Sequence, residues 1–245
     1  MDLLRSENIT KSYDGRVIIR DISVRLEKGE LVSLLGLSGS GKTTLFQILS
    51  GLVPPDSGRV FLDGEDITSK PGKISYMLQK DLLLPHKKII DNVSLPLVIR
   101  GMRKEKARQT AEPYFARFGL DGTQEQYPSQ LSGGMRQRAA LLRTYLSSEG
   151  AALLDEPFSA LDMITKGQMH DWYLDVCSRF GLSTFLITHD INEALVLSDR
   201  IYVLTGSPGR IESEIRIRTP RSERAGYDLT EEFLSYKREI MQLLR

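Results

Sequence analysis

The chain has 245 residues, of which 40% are hydrophobic and 27% are charged, and its 33 basic residues nearly balance its 32 acidic residues. This length and composition are typical of one globular domain and exclude a disordered or fibrous protein. The near-neutral charge provides no electrostatic footprint for nucleic acid, and no apolar run reaches the roughly 18 residues that a membrane span needs. The start lacks a signal-peptide core, and the single cysteine, Cys177, cannot form an internal disulfide. We therefore expect a cytoplasmic protein without a nucleic-acid partner.

A buried strand, a glycine-rich turn and a helix are predicted near the start of the chain. Residues 30–36 form a short apolar run that ends in glycine, and residues 43–51 follow the turn with helical spacing. On either side, residues 17–26 and 59–64 alternate apolar and polar side chains between Gly/Asp turns, which predicts antiparallel strands. A β-rich portion therefore flanks the turn.

The middle of the chain, residues 89–148, has a helical and polar pattern with no convincing strand. Strand-like runs resume at residues 151–154, 183–188 and 200–205 with a helical segment between each pair, and this alternation predicts a parallel sheet. We expect one α/β domain over residues 1–245. Its parts are a core with antiparallel strands (1–88 and 149–215), a helical subdomain (89–148), and a linker with a closing helix (216–245).

Helical spacing within residues 166–180 defines one apolar stripe, consisting of Met169, Trp172, Tyr173, Val176, Cys177 and Phe180. We interpret this stripe as core and Cys177 as a buried packing residue. Two histidines outside any motif, His86 and His170, are interpreted as surface residues. Near the end, Asp228 is a candidate N-cap with Glu231 three residues on, which predicts the start of the closing helix.

Residues 36–43, Gly-Leu-Ser-Gly-Ser-Gly-Lys-Thr, match the pattern G-x-x-x-x-G-K-[ST] in the strand–turn–helix context that its mechanism requires. Its glycines let backbone N–H groups point at phosphate oxygens, and the following helix adds its positive end. Lys42 can supply charge to the β- and γ-phosphates, and the Thr43 hydroxyl can ligate Mg²⁺. The candidate phosphate-binding residues are Gly36, Ser38, Gly39, Ser40, Gly41, Lys42, Thr43 and Thr44. An ordinary Gly/Ser turn is the alternative.

The predicted strand at residues 151–154 is followed by two carboxylates, Asp155 and Glu156. Alone this signal is weak, because strands often end in acidic turns. Beside a phosphate loop, Asp155 becomes the expected Mg²⁺ partner at the carboxyl end of the neighbouring strand, and Glu156 a candidate general base that polarises water. The two motifs predict a P-loop NTPase and leave GTPases, kinases and helicases open.

A third motif, Leu-Ser-Gly-Gly-Met at residues 131–135, opens a helix with small residues and free N–H groups, which is another anion-binding arrangement. One chain does not need two phosphate sites for one nucleotide unless the second site serves a nucleotide bound by another copy. Ser132, Gly133 and Gly134 are therefore candidate nucleotide contacts across a head-to-tail dimer.

With these motifs the sequence resembles the ATP-binding subunits of ABC transporters, whose signature is LSGGQ; Met135 stands where that signature has glutamine. Since the resemblance assigns the phosphate chemistry to backbone N–H groups and the Ser132 hydroxyl, this departure concerns affinity and not the identity of the motif. The resemblance covers nearly the whole chain. It implies a P-loop NTPase fold, with a RecA-like parallel-sheet core, an antiparallel β subdomain and an inserted α-helical subdomain.

The resemblance implies roles at further positions. Tyr13 would stack on adenine, with a strand-edge tyrosine as the alternative. Gln79 would contact Mg²⁺ or water and link the site to the membrane partner. Residues 159–162, Ser-Ala-Leu-Asp, resemble the D-loop that passes across the dimer interface. His189 follows an apolar strand and would contact the γ-phosphate.

In the mechanism that the resemblance implies, two copies hold ATP between the phosphate loop of one and the LSGGM segment of the other, and separate permease subunits receive the motion. Residues 82–88 resemble the segment that docks a permease coupling helix in importers. Residues 190–194 and 207–211 resemble the corresponding segments of importers for nitrate, sulfonate, taurine and thiamine precursors. Importers of this group work with an extracytoplasmic solute-binding protein. The resemblance thus implies an Mg²⁺-dependent ATPase, peripheral at the cytoplasmic face of the membrane.

Three alternatives share parts of this pattern. An exporter or lipoprotein-release ATPase has the same chemistry and differs mainly in its permease. A soluble ABC ATPase acting on nucleic acid usually carries coiled-coil insertions or two fused cassettes, and neither is present. A regulator that binds ATP without hydrolysis would not need Lys42, Asp155, Glu156 and His189 together. The basic stretch 216–224 is interpreted as a solvated linker, with lipid headgroups or a permease tail as alternative contacts.

Overall fold

A computed structural model describes residues 2–148, 150–224 and 226–244. The strands within these ranges are β1 (Asp2–Tyr13), β2 (Arg16–Ile22), β3 (Arg25–Glu27), β4 (Leu31–Gly36), β5 (Ser57–Leu62), β6 (Glu65–Asp66), β7 (Ser75–Met77), β8 (Ala151–Asp155), β9 (Ser183–Thr188), β10 (Arg200–Thr205) and β11 (Arg210–Arg216). The helices are α1 (Lys42–Leu49), α2 (Ile89–Ile99), α3 (Lys104–Ala111), α4 (Tyr114–Arg117), α5 (Gly133–Ser147), α6 (Met163–Phe180), α7 (Ile191–Leu197) and α8 (Glu231–Leu243). None of these helices combines the length and the hydropathy needed to cross a bilayer.

A mostly parallel sheet forms the centre, with strand order β11-β10-β4-β9-β8-β7. Strands β4 and β9 are buried at every position, which is expected of apolar runs covered on both faces. The carboxyl ends of β4, β9, β8 and β7 lie at one edge, and the loops that follow them meet there. The predicted parallel sheet is confirmed. The expectation that Asp155 follows the immediate neighbour of β4 is wrong, because β9 lies between β4 and β8.

An antiparallel sheet, with order β2-β1-β5-β6 and β3 paired to β1, packs against α1 and the parallel sheet. This confirms the predicted antiparallel strands on both sides of the glycine-rich turn. Strand β1 was not predicted from the sequence. Its pairing with β2 has register shifts between Ile9 and Ser12, and its buried positions do not alternate strictly, so it lacks the period-two signal.

Helices α2 to α5 lie between β7 and β8 and share one apolar cluster with α6, which confirms the inserted helical portion. On α6, Met169, Tyr173 and Val176 are buried, as the predicted stripe requires, and Cys177 is a buried free thiol. Burial raises the pKa of this thiol to about 11. The exact domain division stays a prediction, and its boundary at residue 149 lies outside the described residues.

The C-terminal segment differs from the prediction in two ways. Helix α8 is capped by Thr230, whose hydroxyl accepts a hydrogen bond from the Phe233 N–H, whereas Asp228 lies in a short 3₁₀ turn before the cap. Arg224 is buried rather than solvated. Its guanidinium donates to the carbonyls of Leu195, Val196 and Ser198 at the end of α7, where helical carbonyls lack intrahelical partners.

The interpretation of His170 as a surface residue is also wrong, whereas His86 is exposed. The His170 ring packs edge-on against Phe158 at 5.1 Å, and its Nε2 lies 3.3 Å from a carboxylate oxygen of Glu193. His170 stands three residues before Tyr173, on the buried face of α6. The helical spacing therefore indicated a buried position for His170, but histidine was interpreted as a surface residue because its side chain is polar.

Candidate active site

A cleft of about 640 Å³ opens at the edge of the parallel sheet where the strands have their carboxyl ends. Residues from β2, from the phosphate loop and α1, and from the ends of β7, β8 and β9 line it: Ile18, Ser38, Gly39, Gly41, Lys42, Thr43, Thr44, Gln79, Asp155, Glu156 and His189. All of these residues except Ile18 were predicted as site residues from the sequence. The edge of a parallel sheet at the strand carboxyl ends is the expected ligand position in α/β proteins.

The phosphate loop connects β4 to α1 and depends on glycine at two positions. Gly39 has a φ of 80° and Gly41 a φ of 99°, in the left-handed region that side chains rarely adopt. A Cβ atom on Gly41 would also lie 2.3 Å from the Ile19 side chain. The chain therefore turns sharply into α1, whose first residues, Lys42, Thr43 and Thr44, line the cleft.

Lys42 reaches back across the loop. Its Nζ donates to the carbonyl oxygens of Gly36 at 2.8 Å and Leu37 at 2.9 Å. Burial lowers the pKa of Lys42, while the Asp155 and Glu156 carboxylates act in the opposite direction. The ammonium group is thus held at the base of the loop by neutral carbonyls, which an anionic ligand can replace.

Asp155 accepts two hydrogen bonds at Oδ2, from Thr43 Oγ1 at 3.2 Å and from the Tyr76 hydroxyl at 3.1 Å. Burial raises the pKa of Asp155, and both hydrogen bonds lower it. Burial and the Asp155 carboxylate raise the pKa of Tyr76, so this hydroxyl keeps its proton and remains a donor. Sequence reasoning missed Tyr76, although it lies on β7 three residues before Gln79. A carboxylate beside a hydroxyl is an oxygen donor set that fits Mg²⁺.

Glu156 joins two further predicted site residues. Its Oε2 accepts a hydrogen bond from Gln79 Nε2 at 3.0 Å, and its Oε1 lies 3.1 Å from His189 Nδ1. Glu156 has a positive φ of 47°, and its N–H donates to the Ile187 carbonyl on β9. This geometry turns the carboxylate from the end of β8 into the cleft, between side chains that follow β7 and β9.

Several predicted residues lie outside this cleft. Tyr13 is 42% exposed at the β1–β2 turn, and Gly36 lies at the end of β4 behind the loop. Ser40 is buried, and its hydroxyl has no hydrogen-bond partner among the described residues. Ser132 and Gly134 line neither this cleft nor the groove beside it. Gly133 lines that adjoining groove of about 840 Å³, which shares Gln79, Glu156 and His189 with the cleft.

The predicted signature segment forms the exposed start of α5. Ser132 is the N-cap, and its hydroxyl accepts a hydrogen bond from the Met135 N–H at 3.3 Å. The Met135 side chain packs against the apolar cluster that α5 and α6 share. The segment therefore presents a helix N-terminus to the outside of the chain, as an anion-binding surface requires.

Gly209 braces the phosphate loop from behind and was not predicted as a site residue. Its N–H donates to the Ile18 carbonyl, and its carbonyl accepts from the Arg20 N–H, so it is fixed to β2. A Cβ atom at this position would lie 2.1 Å from the backbone oxygen of Ser40. Nothing in the local sequence pattern indicates this approach, because residues 209 and 40 are far apart in the chain.

Comparison with known proteins gives consistent matches over this architecture. A family model described as ABC transporter matches residues 19–159. The formylaminopyrimidine import ATP-binding protein ThiZ of Halalkalibacterium halodurans is 42% identical, over 99% of this chain and 96% of its own length. The nitrate import ATP-binding protein NrtD of Synechocystis sp. is 37% identical, over 94% of this chain and 88% of its own length.

The fold also matches a solved structure, the dimeric post-hydrolysis state of the ATP-binding cassette MJ0796 bound to ADP and Pi. The TM-score is 0.75 at 29% sequence identity, covering 89% of this chain and 100% of that chain. This similarity confirms the predicted fold class.

Proposed function

Since the chain belongs to the ABC transporter family as an ATP-binding and ATP-hydrolysing subunit, we propose that it energises an importer from the cytoplasmic face of the membrane. The observation that carries this proposal is the cleft in which Lys42, Asp155, Glu156 and His189 meet. The import direction is supported by the two relatives named as import ATP-binding proteins.

The cleft residues divide the work of hydrolysis. Backbone N–H groups of the phosphate loop and Lys42 bind the β- and γ-phosphates of ATP and neutralise their charge. Thr43 and Asp155, with Gln79 nearby, would hold Mg²⁺, which supplies further positive charge to the phosphates. Glu156 accepts a proton from the attacking water, and Gln79 and His189 hold its carboxylate in position from either side.

The signature residues act in a second copy of the chain. Ser132, Gly133 and Gly134 are at the exposed start of α5, where they are accessible to another molecule. We propose that they contact the phosphates of ATP held by the partner's phosphate loop, in a head-to-tail dimer. Tyr13, which is half-exposed beside Lys11, would stack on the adenine ring.

The membrane partner is a pair of permease subunits that dock near Gln79 and residues 82–88, and a solute-binding protein acts indirectly through them. Arg143 supports this segment, since its guanidinium donates to the carbonyls of Asp81 and Leu82. Motion of α5 is thereby transmitted to the segment that follows Gln79. The proposed solute class is that of nitrate, sulfonate, taurine or thiamine-precursor importers, as residues 190–194 and 207–211 suggest.

The variant Glu156→Gln tests the assignment. We expect its kcat for ATP hydrolysis to fall at least about 100-fold, because the general base is lost, whereas ATP affinity stays near the wild-type value. Size-exclusion chromatography with light scattering should then detect a dimer that forms only with ATP. Glu212→Gln is the matched control, because Glu212 is an exposed residue on β11. Wild-type hydrolysis by Glu156→Gln would refute the role of Glu156. A variant that stays monomeric in the presence of ATP would refute the head-to-tail dimer.

A further inference from the structure

Four charged or titratable side chains join α6 to α7 beside the cleft, and we call them the α6–α7 junction. Lys166 and His170 belong to α6, and Asp190 and Glu193 lie at the start of α7. Lys166 Nζ is 3.2 Å from Asp190 Oδ2 and 3.7 Å from a carboxylate oxygen of Glu193. His170 Nε2 approaches the same Glu193 oxygen, Oε2, at 3.3 Å.

The burial of Glu193 makes the junction stiff. Only 2% of the Glu193 side chain is exposed, and its Oε2 contacts Lys166 and His170. A buried carboxylate without partners is strongly disfavoured, which restricts α7 to positions where both contacts persist. The junction therefore fixes the position of α7 relative to α6, which a solvent-exposed ion pair would not do.

Asp190 connects the junction to the cleft. Its Oδ1 accepts the N–H groups of Asn192 and Glu193, which makes it the N-cap of α7, while its Oδ2 contacts Lys166. Lys166 thus holds the capping carboxylate itself. Because Asp190 directly follows His189, this cap constrains the backbone that carries the His189 side chain.

At its other end the junction contacts the segment that follows Glu156. The Phe158 ring, two residues after Glu156, packs edge-on against His170 at 5.1 Å. Residues 159–162 then lead into α6, where Asp162 is the N-cap. One cluster is consequently in contact with both segments that carry Glu156 and His189, whose side chains meet at 3.1 Å.

We propose that Lys166 is a positioning residue for ATP hydrolysis: by tying Asp190 and Glu193 to α6, it holds His189 against Glu156. This inference rests on the proposed function only in assigning hydrolysis to Glu156 and His189. It extends that function, because a movement of α6, which directly follows residues 159–162, would be transmitted through Lys166 to the position of His189.

Steady-state kinetics of Lys166→Met provide the first test. We expect kcat to fall about tenfold while KM for ATP changes less than about twofold, since the phosphate loop is untouched and only the alignment of His189 is lost. Lys166→Arg should recover most of the rate, because it restores a cation at this position. Arg179→Gln is the matched control, since Arg179 forms an exposed ion pair with Asp175 on the same helix.

NMR of the histidine side chains provides a second test, because a purely structural role of Lys166 would leave the imidazole signal of His189 unchanged. The chain has three histidines, so selective labelling gives three imidazole signals, which His86→Gln and His170→Gln variants assign. In the nucleotide-free protein, Lys166→Met should shift the signals of His170 and His189 and leave that of His86 in place. Arg179→Gln should shift none of the three.

If Lys166→Met does not fold, the double variant Lys166→Met/Glu193→Gln removes the buried charge together with its partner and carries the same tests. A folded variant with wild-type kcat and an unshifted His189 signal would overturn the inference and leave the proposed function intact. Conversely, wild-type hydrolysis by Glu156→Gln would refute the role that the proposed function gives to Glu156, while a shifted His189 signal would still show that Lys166 positions this side chain.

Discussion

Replacing Gly209 by alanine tests whether the loop at residues 207–211 supports the phosphate loop. The backbone of Gly209 is outside the left-handed region, so alanine causes no backbone strain there. The new methyl group instead meets the carbonyl oxygen of Ser40 at 2.1 Å. One of the two groups must move to relieve this clash. Because two backbone hydrogen bonds fix Gly209 to β2, we expect the phosphate loop to move as much as Gly209 itself.

The magnitude follows from this distance. An ordinary contact between a carbon and an oxygen atom needs roughly 1 Å more than the 2.1 Å available. Misplacement of about 1 Å near a reacting group can reduce a rate about 100-fold, and β2 will absorb part of the shift. We therefore expect kcat/KM for ATP to fall about tenfold or more, with a loss of about 1 to 3 kcal/mol in the free energy of unfolding from overpacking.

The assay compares ATP hydrolysis and urea unfolding of Gly209→Ala with those of Gly167→Ala. A Cβ atom on Gly167 meets nothing within 4 Å, and this residue lies inside α6. The control should keep wild-type kcat/KM and gain about 0.5 to 1 kcal/mol in unfolding free energy, because alanine favours helix. If Gly209→Ala hydrolyses ATP as well as Gly167→Ala does, the close approach to Ser40 does not govern the loop.

Two further predictions concern buried charge. Arg200→Met should reduce the free energy of unfolding by about 3 to 5 kcal/mol in urea titrations, because the guanidinium is 1% exposed and its partner Glu30 13% exposed; a loss no larger than that of Arg179→Gln would contradict this. Tyr76→Phe should cost about 1 to 3 kcal/mol at neutral pH. This deficit should shrink as the pH falls through the raised pKa of Asp155, because the lost hydrogen bond favours the ionised carboxylate; a deficit independent of pH would contradict the sign.

The sequence predicts what local patterns determine. The phosphate loop is recognisable because its glycines, Lys42 and Thr43 are consecutive, and the apolar runs on either side require a strand and a helix. Gly209 and Tyr76 escaped prediction because their importance arises from contacts with residues that are distant in the chain. Gly209 lies close to Ser40, and Tyr76 on β7 donates to Asp155 on the neighbouring strand β8. Such pairings follow from strand order, which residue spacing does not specify.

Residue type misled the sequence interpretation where a polar group is buried with partners. Arg224 belongs to a basic stretch that composition assigns to solvent, but it donates to three carbonyls that end α7. His170 has a carboxylate partner and an aromatic neighbour inside the protein. In both cases burial is compatible with charge or polarity because every contact replaces one with water. The partners lie on other elements, so the sequence of the segment alone contains no sign of them.

Met135 shows how one departure from the family signature can leave its chemistry intact. The groups of this segment that we propose to bind an anion are main-chain N–H groups and the Ser132 hydroxyl, none of which depends on the side chain at position 135. That hydroxyl accepts a hydrogen bond from the Met135 N–H and still has its own proton to donate. The Met135 side chain packs against the apolar cluster beneath α5, where a flexible thioether fits better than an amide. Methionine here therefore anchors the start of the signature helix and leaves in place the atoms that, in the proposed dimer, would contact a partner's phosphate.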